Sequence, residues 1–428
     1  MLKVFDLSKD RKEDILEKIK GREEESDVLN IVNNILKEVK KGRDKSLKYY
    51  TKLYDKVDIK ELKVSKNEIE EAFNEVQEEF ITAINASIRN IEEYHKKQVR
   101  DGYSINKELG IFMGQIILPL ERIGVYVPGG TAAYPSSVLM NIIPAKVAGV
   151  KEIAMITPPN LEGKINPYIL VAAKLSGVDE IYKVGGAQGI AALAYGTESI
   201  KNVDKIVGPG NIYVATAKKL VFGDVDIDMI AGPSEILIVA DENASSKYIA
   251  ADLMSQAEHD RLASSILVTT SYKKYEEVLK EVNKQISTLT RREIIEESLN
   301  NYGLCIICKD INEGIKISNE IAPEHLELMV ENPMEYLGLV KNAGSIFLGY
   351  YSPEPLGDYY AGPNHVLPTN GTARFSSPLG VDSFIKKSSY LHYSKEALSL
   401  AGDKIILLAE KEGLTAHGNS IKVRLEDD

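Results

Sequence analysis

The sequence predicts an α/β protein with two parallel-sheet units, at about 111–238 and 239–380. They lie between a helical N-terminal segment (1–110) and a helical tail (381–428). Two observations carry this prediction. From about residue 115, short β-rich runs alternate with helical runs, the pattern of parallel sheets covered on both faces. Before that point, apolar residues recur three or four apart among dense charge, the periodicity of surface helices.

The N-terminal helices are read from KEDILEKIKG, VLNIVNNILKEVKKG and KNEIEEAFNEVQEEFITAINASIRNIEEYHKKQ. His95, in the last of these, is surrounded by charge and has no suitably spaced ligand partner, so it reads as a solvated helix residue. In the first unit RIGVYVPGG is a strand and SSVLMNIIPAKVAGV a helix. EIAMITPPN (strand) and INPYILVAAKLSGV (helix) follow. EIYKVGGAQG and KIVGPGN are strands running into glycine turns, and IAALAYG and IYVATAKKLVFG are the helices that those turns open. DMIAGPSEILIVAD closes the unit with another strand. The second unit begins with the helical KYIAADLMSQAEHDRLA and the strand SSILVTT. A long charged helical stretch leads to the strand LCIICKD, then to a helical section containing APEHLELMV and the strand AGSIFLGYY. A Gly/Pro-rich stretch, 352–379, precedes the tail, where KEALSLAGDKIILLAEKEGLTAHGN is helical.

Composition excludes several classes. The chain has 428 residues, 44% hydrophobic and 27% charged, enough for two or more cores. A net charge of −11 and the lack of a basic stripe argue against nucleic-acid binding through phosphate neutralisation. The first twenty residues lack a signal peptide's apolar core. No apolar run reaches the roughly 18–20 residues of a membrane span. A cytoplasmic protein with no nucleic-acid or membrane partner is expected. The two cysteines, Cys305 and Cys308, lie in the apolar GLCIICKD, which reads as a buried strand with the thiols on opposite faces.

Chemistry concentrates in four short polar strings: SQAEHD (255–260), APEH (322–325), GDYYAGPNH (357–365) and EGLTAH (412–417). Five of the six histidines lie from position 259 onward, and four of them sit in these strings. Neutral imidazole is the commonest metal ligand and a proton shuttle near neutral pH. Gln256 and His259 are three apart in a helical segment, so one helix face could present both to a metal. Asp358 and His365 occupy a loop of the kind that carries active sites in α/β folds, although an Asx turn would also use an aspartate there. Glu324 and His325 follow Pro323, which suits the first turn of a helix. Glu324 is either a first-turn acid or a water activator, with His325 as proton acceptor. Glu412 and His417 matter only if the tail wraps onto a neighbour. The turns GGAQG and GPGN place backbone N–H groups near anionic ligands, but neither is a G-x-G-x-x-G fingerprint.

Together with YVPGG, VGGAQGIAALAYGT, AGPSE, APEHLE, GDYYAGPNHVLPT and EGLTAH in this order, these strings resemble the histidinol dehydrogenase family over essentially the whole chain. The resemblance implies two related, incomplete Rossmann-like domains and oxidation of L-histidinol to L-histidine through bound L-histidinaldehyde, with two NAD reduced. It implies one Zn2+ per subunit held by Gln256, His259, Asp358 and His417, the last from the partner of an intertwined homodimer with shared active sites. It implies His325 as general base and Glu324 as activator of water. It matches Ser234, His365 and Glu412 to substrate contacts, alongside the ligands and the base, and Tyr126, Gln188 and Asn211 to NAD contacts. No step in that chemistry needs a thiol.

Overall fold

A computed structural model describes residues 2–20, 26–129, 133–230 and 232–426. The N-terminal segment holds β1 (Lys3–Asp6) and the helices α1 (Lys12–Lys20), α2 (Ser26–Tyr54), α3 (Lys66–Glu75) and α4 (Glu78–Lys96). A capping box starts α3: Ser65 Oγ accepts the Glu68 N–H, and the Glu68 carboxylate accepts the Ser65 N–H. The strands β2 (Tyr103–Lys107) and β3 (Ile111–Pro119) follow.

The first α/β layer then runs β4 (Arg122–Tyr126), α5 (Pro135–Ala148), β5 (Glu152–Thr157), α6 (Pro167–Ser176), β6 (Glu180–Lys183), α7 (Gly186–Tyr195), β7 (Lys205–Val207), α8 (Ile212–Val221) and β8 (Asp226–Ile227). The second runs β9 (Glu235–Ala240), α9 (Ser246–Ala257), β10 (Ser264–Thr269), α10 (Tyr272–Gln285), α11 (Arg292–Tyr302), β11 (Leu304–Ile307), α12 (Ile311–Ile321), β12 (His325–Met329), α13 (Pro333–Leu337), β13 (Ser345–Leu348) and α14 (Glu354–Tyr359). The chain ends in β14 (Ile385–His392), α15 (Lys395–Lys411) and α16 (Thr415–Glu426).

Both α/β sheets are parallel, with strand orders β6-β5-β4-β7-β8 and β1-β11-β10-β9-β12-β13. Leaving β1 aside, each order is third, second, first, fourth, fifth in its own layer, the doubly wound order with a crossover reversal beside the first strand. The reversals fall between β4 and β7 and between β9 and β12. β4, β9, β10 and β12 are buried along their whole length; β9 reads in sequence as a continuous apolar run, whereas β12 carries buried polar residues at His325 and Glu327. A third sheet, β14-β3-β2, is antiparallel.

The predicted α/β class with two parallel sheets is what the structure has, and several local expectations need correction. β9 does not close the first unit. It pairs with β10 and β12, so the expected boundary at 238/239 cuts through the central strand of the second sheet. APEHLELMV is not helical: its core is β12, because pairing with β9 and β13 outweighs the helix propensity of Glu, Leu and Met. The terminal segments are not purely helical. β1 pairs with β11, and β2 and β14 flank β3. His95 is not solvated. It is 0% exposed, with Nδ1 2.8 Å from the Ile91 carbonyl.

The chain divides into two compact units. One comprises Met1–Gln98 with Leu120–Phe384, and the other Val99–Pro119 with Ile385–Asp428. The first contains both parallel sheets and the second the antiparallel sheet with α15 and α16. No helix among the described residues is long and apolar enough to cross a membrane.

Candidate active site

The site is built at the amino ends of β9 and β12, on either side of the second sheet's crossover reversal. His325 opens β12, and its register partner is Ile236, next to Glu235 at the start of β9. Glu235 holds both members of the expected acid–base pair through its main chain. Its N–H donates to Glu324 Oε2 at 2.8 Å, and its carbonyl lies 3.0 Å from His325 Nδ1. A carbonyl can only accept, so Nδ1 carries the imidazole proton and Nε2 presents a lone pair. That Nε2 is buried with no hydrogen-bond partner among the described residues and lies 4.0 Å from Asp358 Oδ1. Burial, with His259 and His365 nearby, pushes the His325 pKa down to about 3, which keeps the ring neutral. Burial also raises the Glu324 carboxyl well above the usual carboxylate range. Pro323 and Glu324 lead into a strand and not a helix, after Ala322 turns the chain in a left-handed conformation at φ 55. Gly344 packs so tightly beneath Glu324 that a Cβ there would meet the Glu324 carbonyl at 2.5 Å.

The second wall comes from α9 and α14. α9 ends at Ala257, so Gln256 sits in its last turn while His259 lies just beyond the helix end. This corrects the expected single helix face, although the turn keeps them close: the His259 N–H donates to the Gln256 carbonyl at 3.2 Å. Gln256 is 1% exposed, and its Oε1 has no partner among the described residues. Asp358 sits in the short helix α14 rather than in an open loop. Ligand atoms of His259, Asp358 and Glu354 all lie within 4.8 Å of one another. Glu354 is the residue that sequence reading missed. Its spacing of four from Asp358 puts both on one helix face, yet after Pro353 it reads as an ordinary first-turn acid. It is 1% exposed and accepts the Ser255 hydroxyl at 3.0 Å. Burial, then Asp358 beside it, raises its pKa to about 9, and burial raises Asp358 to about 6.

His365 Nδ1 lies 3.6 Å from Asp358 Oδ1, and burial holds its pKa down at about 4. The segment between them is clamped from outside. Ser87 and Asn90 of α4 donate to the carbonyls of Tyr359 and Tyr360 at 2.7 and 2.8 Å, and Asn364 Nδ2 donates to Met140 O of α5 at 2.6 Å. A cavity of about 240 Å³ opens here, with His325, Asp358 and His365 in its wall. Ser234 is half-buried immediately before Glu235.

The donors suit a zinc ion. Histidine, carboxylate and amide oxygen are its ordinary nitrogen and oxygen ligands, and the buried Gln256 Oε1, unpartnered among the described residues, calls for a partner. Glu412 and His417 belong to the other compact unit. Glu412 caps the end of α15, His417 lies in the first turn of α16, and both are exposed.

The expected dinucleotide residues gather at the carboxyl ends of the first sheet. Tyr126 ends β4, Gln188 of GGAQG lies in the first turn of α7, and Asn211, the last residue of GPGN, caps α8. The Tyr126 hydroxyl bonds to the backbone of Gly186, and its carbonyl fills the space beside Gly208, where a Cβ would approach it to 2.0 Å. At φ 114, Gly208 occupies backbone space closed to other residues. Its turn is braced by the buried Lys218–Asp228 ion pair, in which Lys218 Nζ donates to Gly208 O and the Gly208 N–H donates to Asp228. Asn211 Oδ1 is occupied in accepting the N–H groups of Tyr213 and Val214. Two helix N-termini thus face one sheet edge, which suits a pyrophosphate without a G-x-G-x-x-G sequence. Both cysteines are buried, and burial pushes the Cys308 thiol up to about 11. A nucleophilic thiol needs the opposite environment.

The chain is similar to known proteins along its length. The family model described as histidinol dehydrogenase matches residues 18–425. A histidinol dehydrogenase of Clostridium acetobutylicum is 61% identical over 403 residues, 94% of each chain. That of Caldanaerobacter subterraneus subsp. tengcongensis is 57% identical over 432 residues and the full length of both. A crystal structure of histidinol dehydrogenase from Elizabethkingia anophelis superposes with a TM-score of 0.94 at 40% identity, covering 99% of this chain and 98% of that one. Identity at this level over the full length leaves one assignment: the chain belongs to the histidinol dehydrogenase family.

Proposed function

We propose that this chain oxidises L-histidinol to L-histidine through bound L-histidinaldehyde, reducing two NAD and using one zinc ion per subunit. The observation that supports it most is the neutral His325, whose unpartnered Nε2 faces Asp358 in the wall of the cavity. Gln256, His259 and Asp358 would hold zinc together with His417 of a partner subunit. Zinc would supply an anchor for the substrate's imidazole and amine, and NAD a hydride acceptor.

The protein's own groups do the rest. His325 Nε2 accepts the hydroxyl proton as hydride leaves the carbinol carbon, giving the aldehyde. Ionised Glu324 takes a proton from water as it adds to the aldehyde carbon, and the protonated His325 returns its proton to the aldehyde oxygen, giving a gem-diol. His325 then accepts the gem-diol proton as the second hydride leaves. Ser234, His365 and Glu412 contact the substrate, and Tyr126, Gln188 and Asn211 contact the dinucleotide. The second compact unit exposes Leu391, Leu400, Leu407 and Leu408, apolar surface of the kind that a homodimer buries.

Chelation tests this reading. NAD-dependent oxidation of L-histidinol should stop on metal removal and return with zinc, and His259→Ala or Asp358→Ala should bind zinc far more weakly. Full activity in metal-free protein overturns the zinc assignment, and no oxidation of L-histidinol by the zinc-loaded protein overturns the function.

A further inference from the structure

Beneath the site lies a second layer of carboxyl groups that the chemistry above does not use. Glu327 follows His325 by two residues on β12 and is 1% exposed. Its Oε1 accepts the N–H of Glu354 at 2.8 Å. That N–H is the first of α14, one of the donors left without a partner at a helix start, and Pro353 before it provides no side-chain cap. Glu327 Oε2 is buried and reached by no N–H group among the described residues. Asp252 of α9, itself 8% exposed, stands beside the Glu327 carboxyl. Two carboxyl groups in contact away from water hold a proton between them, since two buried negative charges at that distance repel strongly.

Asp252 precedes Gln256 by one helical turn on α9. Glu327 lies on the strand that His325 opens. Glu354 N–H begins the helix that carries Asp358. We propose that Glu327 is a positioning residue: with Asp252 it ties α9, β12 and α14 together, fixing the distance between the Gln256–His259 and Asp358 sides of the zinc site. This rests on the zinc reading given above. Ligands fixed by such outer contacts lose about 10–100-fold in metal affinity when the contact is removed.

The test is the zinc dissociation constant of the full-length protein, measured by competition with a chromophoric chelator, alongside the thermal midpoint of each metal-free variant. Glu327→Met removes the acceptor for Glu354 N–H and should weaken zinc about 10–100-fold. Glu327→Gln keeps that acceptor and offers its amide to Asp252, so its zinc affinity should stay within about threefold of the wild type, since both contacts are preserved. If Glu327→Met does not fold, Asp252→Ala against Asp252→Asn makes the same comparison from the other side, with loss for alanine and retention for asparagine. A merely structural role predicts a lowered thermal midpoint with unchanged zinc affinity in folded Glu327→Met or Asp252→Ala, and that result overturns the brace alone. Equal loss for the amide and apolar variants also overturns it. Wild-type protein that does not bind zinc overturns the site reading and the brace together.

Discussion

His325 Nδ1 sits 3.0 Å from the main-chain carbonyl of Glu235, so the ring is held by a group that never titrates. The carbonyl fixes the tautomer and leaves Nε2 as the only basic position. No carboxylate accepts from Nδ1; Glu324 Oε2, at 3.7 Å, bonds instead to the Glu235 N–H.

His325→Asn should therefore lower kcat about 10²–10⁴-fold, the usual cost of losing a general base. Zinc content should not change, because His325 lies outside the proposed ligand set. Metal analysis of the purified variant beside steady-state kinetics checks both. Loss of zinc together with activity would make His325 a ligand instead.

Glu324→Gln should slow oxidation of L-histidinaldehyde more than oxidation of L-histidinol, because only the second oxidation consumes water. The substitution spares the structure, since a glutamine carbonyl can still accept the Glu235 N–H. Separate assays with alcohol and aldehyde measure it, and equal loss in both would assign Glu324 a shared structural role.

Zinc affinity should rise with pH. Metal binds the carboxylate form, while burial raises Asp358 to about 6 in the metal-free protein. Each group that must lose a proton contributes up to about tenfold in affinity per pH unit below its own pKa. Burial lowers the His259 pKa, which reduces its own contribution in the same direction. Calorimetry in buffers of different ionisation enthalpy should show protons released on zinc binding at about pH 5, below the Asp358 pKa. Affinity independent of pH between 5 and 8 would contradict the assignment of Asp358 as a ligand.

The tail should complete a neighbour's site. Glu412 and His417 are exposed in the second compact unit, although the resemblance places them among the substrate contacts and zinc ligands. His417→Ala and His259→Ala proteins, each inactive, should recover activity when their subunits exchange. In a mixed dimer both lesions fall in one site and the other is intact, so activity should approach about half of wild type by two-fold symmetry. No recovery after verified exchange would place all four ligands on one chain.

How legible each feature was depended on its chemical surroundings. Parallel-sheet strands announced themselves because burial on both faces forces continuous apolar runs. His259, His325, Asp358 and His365 stood out because histidine is scarce and clustered. Glu354, Glu327 and Asp252 did not, because burial is what sets them apart and a carboxylate in sequence reads as solvent-facing. Glu327 lies in HLELM, whose alternation matches a half-exposed strand, yet every residue of β12 is buried. His95 misled for the same reason: its charged neighbours point outward while its own face packs inward. β14 is almost wholly exposed and β1 spans only Lys3–Asp6, so neither carries an apolar signature.

The central claim is that one site performs both oxidations, with His325 serving each and Glu324 supplying the water step between them. The amount of NADH formed per L-histidinol consumed by the zinc-loaded protein tests it most directly. Two NADH for each L-histidine, with no aldehyde captured by a trapping amine, is the predicted result. One NADH per L-histidinol with free aldehyde accumulating would contradict it.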